Sequence, residues 1–99
     1  MAITATVDLG NGVSKASCYI IVPTAYVKKY DDDSFKLIYD VHIYKDASDR
    51  ATNNGMKQIR CREVDHHKID YDPTTSDNPF VLAYTHLKTN GSLSSVADA

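Results

Sequence analysis

The sequence predicts a mainly β protein of α+β type: a small antiparallel β-sheet or sandwich with one C-terminal α-helix. Three observations predict it. Gly10-Asn11-Gly12 separates two runs rich in Ile, Val and Thr, and residues 35–44 alternate apolar and polar side chains. After Asn78-Pro79 the apolar period lengthens from that of a strand to that of a helix.

Residues 3–9 and 13–22 are the arms of a predicted hairpin, because Asn-Gly supplies the positive φ angles a tight turn needs. The same Gly-Asn-Gly lacks the longer glycine spacing and the following helix of a phosphate-cradling loop. Pro23 interrupts the second run, and residues 25–30 continue it as an edge or bent strand. Asp31-Asp32-Asp33-Ser34 reads as a solvated turn, without the alternating oxygen ligands and distal glutamate of a calcium loop. Beyond it, Phe35, Leu37, Tyr39, Val41 and Ile43 alternate with Lys36, Ile38, Asp40, His42 and Tyr44. That spacing predicts a long strand at the centre of the sheet with one strongly apolar face.

Residues 45–57 are polar and read as a loop, with a helical turn as the alternative. Over residues 59–71 the β-formers return with broken parity: Ile59, Cys61, Ile69 and Tyr71 share theirs with Glu63, Asp65 and His67, while Val64 lies on the other. A bulge or an edge position accounts for that. The sheet region therefore spans residues 3–72. Asn78 is placed to cap a helix with Pro79 in its first position, and Phe80, Ala83, Tyr84 and Leu87 recur at helical spacing. Lys88 and Asn90-Gly91 end it, so the helix falls within 78–90 and serves as a lid on the sheet, since about three turns are rarely stable alone. Residues 91–99 read as a small-residue tail, flexible or docked on a neighbour.

With 99 residues, the chain is expected to form a single domain over 1–99. A hydrophobic fraction of 42% and a charged fraction of 24% match an ordinary soluble globular protein. Eleven basic against 13 acidic residues give a net charge of -2, without the broad positive field of a nonspecific nucleic-acid binder. No apolar run reaches membrane-spanning length, and Met1-Ala2-Ile3-Thr4 is not a basic leader, so synthesis in a cytoplasm is expected, with no nucleic-acid or membrane partner. Cys18 and Cys61 are expected as two separate buried thiols, with a bridge as the alternative if their strands are neighbours.

The densest ionisable cluster runs from Glu63 to Asp72. On a strand Asp65 and His67 share one face and His66 and Asp70 the other, with His42 the obvious third metal ligand. Because adjacent histidines point to opposite faces, the set is read as a solvated edge strand, and neither a metal nor any other cofactor is expected. No Gly-x-Ser-x-Gly elbow occurs and no cysteine has a catalytic context, so no catalytic residues are assigned. Asn90-Gly91-Ser92 matches a glycosylation acceptor formally and is read as a helix stop.

Seven of the nine aromatic residues are tyrosines, and tryptophan is absent. Tyr19, Tyr26, Tyr30, Tyr39, Tyr44, Tyr71 and Tyr84 are spread over every predicted element, either as interface material or as the border of a small core. Tyr44 and Ile38 lie on the outer face of a strand whose inner face is already apolar, which predicts a sheet covered on both sides.

Residues 16–22 (Ala-Ser-Cys-Tyr-Ile-Ile-Val), residues 37–47, and above all Asn78-Pro79-Phe80-Val81-Leu82-Ala83-Tyr84-Thr85-His86-Leu87-Lys88-Thr89 carry a resemblance. They look like small proteins encoded among the tail genes of tailed bacteriophages, in which a short β domain precedes a helix of the form Ala-Tyr-x-x-Leu-Lys-Thr. Gly91-Ser92-Leu93 departs from the more apolar continuation of that group. The resemblance implies a noncatalytic structural subunit of a virion, in the tail, baseplate or fibre-attachment region, partnered by other virion proteins and by copies of itself. The expected contact residues are Tyr26, Tyr30, Tyr44, Leu93 and Val96. A capsid cement or head-completion protein is the near alternative, and a small metal-dependent enzyme the alternative of another class.

Overall fold

The computed structural model describes residues 2–10, 12–53 and 59–99, with 49, 52 and 53 described by their backbone alone. The protein is built on one five-stranded antiparallel sheet. In chain order the elements are β1 (Ile3–Gly10), β2 (Val13–Lys29), β3 (Phe35–Tyr44), α1 (Ala47–Asn53), α2 (Arg62–Asp65), β4 (His66–Asp70), α3 (Pro79–Leu87) and β5 (Leu93–Asp98). Across the sheet the order is β4-β3-β2-β1-β5, so β2 occupies the centre and β3 lies beside it. Asn11 of the predicted turn, and Asn54 and Gly55 of the predicted loop, lie outside the described residues.

The hairpin forms where the Gly-Asn-Gly signal lies. Gly10 pairs with Val13, and both Gly10 and Gly12 take positive φ, 88° and 78°, at which any larger side chain is strained. The 31–34 turn is held by Asp32, whose Oδ1 accepts from the Ser34 N–H and hydroxyl. That carboxylate is consumed in closing a turn.

Past Pro23 the second run continues as a bent strand, as expected: β2 runs through the proline on a bulge, and beyond it pairs with β3 alone. Ile21 pairs with His42 and Thr24 with Asp40, so β2 carries one residue more than β3 here. Pro23 has no N–H to lose. Val22 sends its N–H out of the ladder to the Tyr84 hydroxyl, at 2.8 Å. The extra residue also shifts the inward parity: Cys18, Ile20 and Val22 face the core before it, Ala25 and Val27 after it.

One expectation is overturned. Residues 91–99 are neither a flexible nor a docking tail, because Leu93–Asp98 pairs antiparallel with β1, with Val7 opposite Leu93 and Ile3 opposite Asp98. A bulge at Ser95 and Val96 lets Leu93 and Val96, three residues apart, both turn inward. The strand of the 59–71 stretch lies at a sheet edge, as expected, but is only the five residues His66–Asp70, and parity breaks before it because residues 62–65 form a helical turn. Part of the predicted 45–57 loop is likewise helical, as α1.

α3 begins as its sequence predicts. Asn78 Oδ1 accepts from the Phe80 N–H at 2.8 Å and Pro79 opens the first turn. Its buried face is Ala83, Tyr84 and Leu87, with Leu82 partly buried, whereas Phe80 stays exposed. This face closes one side of the sheet over Ile3, Val7, Ile20, Leu37, Tyr39, Val41 and Ile43, all at most 1% exposed. Each such side chain contributes about 1.5–3 kcal/mol by leaving water. Ala2, Ile21 and Tyr44 form a second, smaller cluster with Tyr19 packed on it.

Candidate functional site

Strand register sorts the tyrosines. α3 covers the inner face. On the outer face Tyr19 stands opposite Tyr44, Ile21 opposite His42, Thr24 opposite Asp40, Tyr26 opposite Ile38, and Lys28 opposite Lys36. β4 extends three of these rows with His66 beside Asp40, Lys68 beside Ile38 and Asp70 beside Lys36. The result is an aromatic and aliphatic strip rimmed by charges. His66 Nδ1 lies 2.6 Å from Asp40 Oδ1, Lys36 Nζ pairs with Asp70, and the Tyr30 ring holds Lys28 Nζ at 5.3 Å and Lys68 Nζ at 4.9 Å from its centre. The Asp70 carboxylate, hydrogen-bonded to Lys36, raises that ammonium above the ordinary lysine range. Lys28 and Lys36 are like charges in opposition, which a sheet tolerates only when each has a partner or open water.

Of the expected contact residues, Tyr26 and Tyr30 lie at the surface of this face, Tyr26 being 49% exposed. Tyr44 and Leu93 do not, and both expectations are corrected. Tyr44 is 3% exposed because Ala2, Ile21 and Tyr19 close around it, and Leu93 belongs to the main core. Val96 packs against that core from the edge strand. The reading missed Phe80 and Val81, which stand exposed beside a groove of about 360 Å³ between α3 and the Val22 bulge. Phe80 shares the helical spacing of Ala83, Tyr84 and Leu87, and its exposure follows from the way the helix is rotated on the sheet.

The inner face holds a second constellation that the sequence reading did not assemble. Tyr39, wholly buried on β3, places its hydroxyl 2.6 Å from His86 Nδ1 of α3. His67 of β4 stacks on the Tyr39 ring at 5.0 Å and meets the His86 ring edge-on at 5.6 Å, and Asn90 lies against it, Nδ2 to Nε2, at 3.4 Å. Burial drives the Tyr39 phenol far above its ordinary range. Burial also pushes His67 down, aided by the neighbouring His86 and His66, against a hydrogen bond to the Val64 carbonyl that raises it. Beside His86 a groove of about 430 Å³ opens between α3 and the segment after β4, lined by Leu37, Ile69, Tyr71 and Leu82 among others. The available signal was Tyr39 itself, in the middle of an apolar face where a hydroxyl requires a partner.

His66 turns outward to Asp40 while His67 turns inward to Tyr39, and among the described residues no three His, Cys, Asp or Glu side chains converge as metal ligands. Cys18 and Cys61 are free and buried, and burial raises both thiols above their ordinary range, away from the reactive thiolate. Comparison with protein-family models, curated proteins and solved structures finds no match. The arrangement of side chains is therefore the ground for a functional reading. It offers one open face of paired charges and tyrosine, and one closed polar cluster under the helix.

Proposed function

We propose that this chain is a noncatalytic structural subunit of a tailed-phage virion, in the tail, baseplate or fibre-attachment region, working through contacts with copies of itself and neighbouring virion proteins. The observation that carries the reading is the outer sheet face: Tyr26 exposed over Ile38, between the Asp40–His66 and Lys36–Asp70 pairs. An aromatic anchor inside a polar rim is the arrangement that protein partners dock on. The resemblance of residues 78–89 to the helix of small phage tail proteins supplies the class of partner.

The contact falls on the face and not on the strand edges. β4 is a short edge with His66, Lys68 and Asp70 along it, and β5 is kinked by its bulge. Both devices discourage the addition of a foreign strand. Fractionation of purified particles together with the solution mass of the isolated chain tests the proposal. Presence at fixed stoichiometry in tail or baseplate fractions is expected. A stable monomer missing from particles overturns it, and recovery in head fractions reassigns the chain to a cement or head-completion role.

A further inference from the structure

Asn90 fixes the protonation pattern beneath α3. Its Oδ1 accepts from the Ser92 N–H at 2.8 Å, so its Nδ2 is the donor, and that donor reaches the Glu63 carbonyl at 3.0 Å. The same Nδ2 faces His67 Nε2, which must therefore be an acceptor. With Nε2 accepting, the nitrogen left to donate is Nδ1, consistent with the Val64 backbone raising His67 against the pull of burial. His67 is thus held as the neutral, Nδ1-protonated imidazole. On its other side the buried Tyr39 hydroxyl shares a hydrogen bond of 2.6 Å with His86 Nδ1, which ties α3 to β3 inside the core.

We propose that Tyr39, His67, His86 and Asn90 form an acid-sensitive latch, which ties α2, β4 and the α3–β5 junction onto β3 while the His67 imidazole is neutral and releases them when that ring gains a proton. A proton on His67 Nε2 meets the Asn90 amide donor against donor. A charged His67 ring would also be desolvated, stacked on Tyr39 at 5.0 Å in a half-buried site.

The surrounding charges offer no relief. On β4, His66, Lys68 and Asp70 occupy the outer-face register, where Asp40 of β3 takes His66 and Lys36 takes Asp70. On α2, Asp65 Oδ1 accepts from the Cys61 N–H and its other oxygen lies 3.9 Å from Arg60, while Glu63 lies against the Cys61 thiol. α3 contributes Tyr84, bonded to the Val22 N–H, and Lys88 at its cap pairs with Asp98 of β5. Asp72 lines the groove beside His86, but its Oδ1 is engaged by Thr74. Among the described residues no carboxylate hydrogen-bonds either ring. Since the folded chain holds His67 below the ordinary imidazole range, it binds that proton less readily than the unfolded chain. The stability this site confers is present at neutral pH and is lost as pH falls through about 6.5 and below.

An NMR titration of the full chain from about pH 8 to about pH 4.5, following the imidazole resonances and amide-exchange protection, tests the latch. Protection over residues 64–70 and 84–93 is expected to fall as His67 titrates, with β1 and β2 still protected. His67→Phe keeps a ring over Tyr39 and removes the proton site, so the loss should move about one pH unit lower or vanish. Asn90→Asp gives the imidazolium an acceptor and should raise the His67 midpoint above that of the parent. His66→Asn, on the outer face, should change neither. Protection that stays constant through the His67 titration, or a loss at the same pH in parent and His67→Phe, overturns the proposal. If His67→Phe does not fold, an unchanged or lowered His67 midpoint in Asn90→Asp overturns it.

Discussion

Ser17 and Ser95 hold left-handed backbone, with φ of 57° and 51°, a conformation that costs a non-glycine residue about 1 kcal/mol or more. Both sit in bulges flanking β1: Ala5 and Val7 pair with Cys18 and Lys15 on one side, Thr4 and Thr6 with Ala97 and Ser94 on the other. Glycine removes the offending Cβ and returns part of the gain as extra freedom of the unfolded chain. Ser17→Gly and Ser95→Gly are therefore each expected to stabilise by about 0.5 kcal/mol, read as a higher urea midpoint at unchanged slope. A midpoint that falls would show that the serine side chains hold their bulges by more than backbone shape. At this scale the sequence was a good guide to which residues are apolar and a poor one to which apolar residues are accessible. Tyr26 and Tyr44 are the same residue type on the same sheet face, and only the closing of Ala2 and Ile21 over Tyr44 separates their fates.

At the scale of elements, α3 is anchored at its start by the Asn78 cap and along its length by Tyr84. Asn78→Ala is expected to cost about 1 kcal/mol, the ordinary worth of an N-cap. Tyr84→Phe strands the Val22 N–H in the buried bulge and is expected to cost about 1–3 kcal/mol. Thermal unfolding of the two variants ranks them, and a Tyr84→Phe protein as stable as the parent would show that the bulge finds another acceptor. The same contact explains what could be read in advance. The hairpin, β3 and the helix start depend on neighbours a few residues away, so turn chemistry, alternation and capping revealed them. The passage of β2 through Pro23 depends on a hydroxyl 62 residues distant, which no local window contains. β5 was hidden for a related reason: Leu93 and Val96 violate the two-residue period of a strand until a bulge restores their common direction. The Tyr39, His67 and His86 cluster draws on β3, β4 and α3 together, so it appears only when the sheet order is known.

For the whole molecule, the open sheet face separates folding from assembly. Tyr26 is half exposed and belongs to neither core cluster, so Tyr26→Ala should change unfolding stability by no more than about 0.5 kcal/mol while reducing incorporation into particles. Comparison of the urea midpoint with the amount recovered in purified virions checks both halves, and normal incorporation would remove Tyr26 from the contact. The order of the strands has another consequence. β1 lies between β2 and β5, and the Ala99 N–H donates to the Ala2 carbonyl at 3.0 Å. A ribosome releasing about 5–20 residues per second presents β1 seconds before its second neighbour exists. Until then one side of β1 is open to any strand it meets. Completion of this sheet thus waits for the last of its strands to be made, and until then the nascent chain is most vulnerable to misassociation along β1.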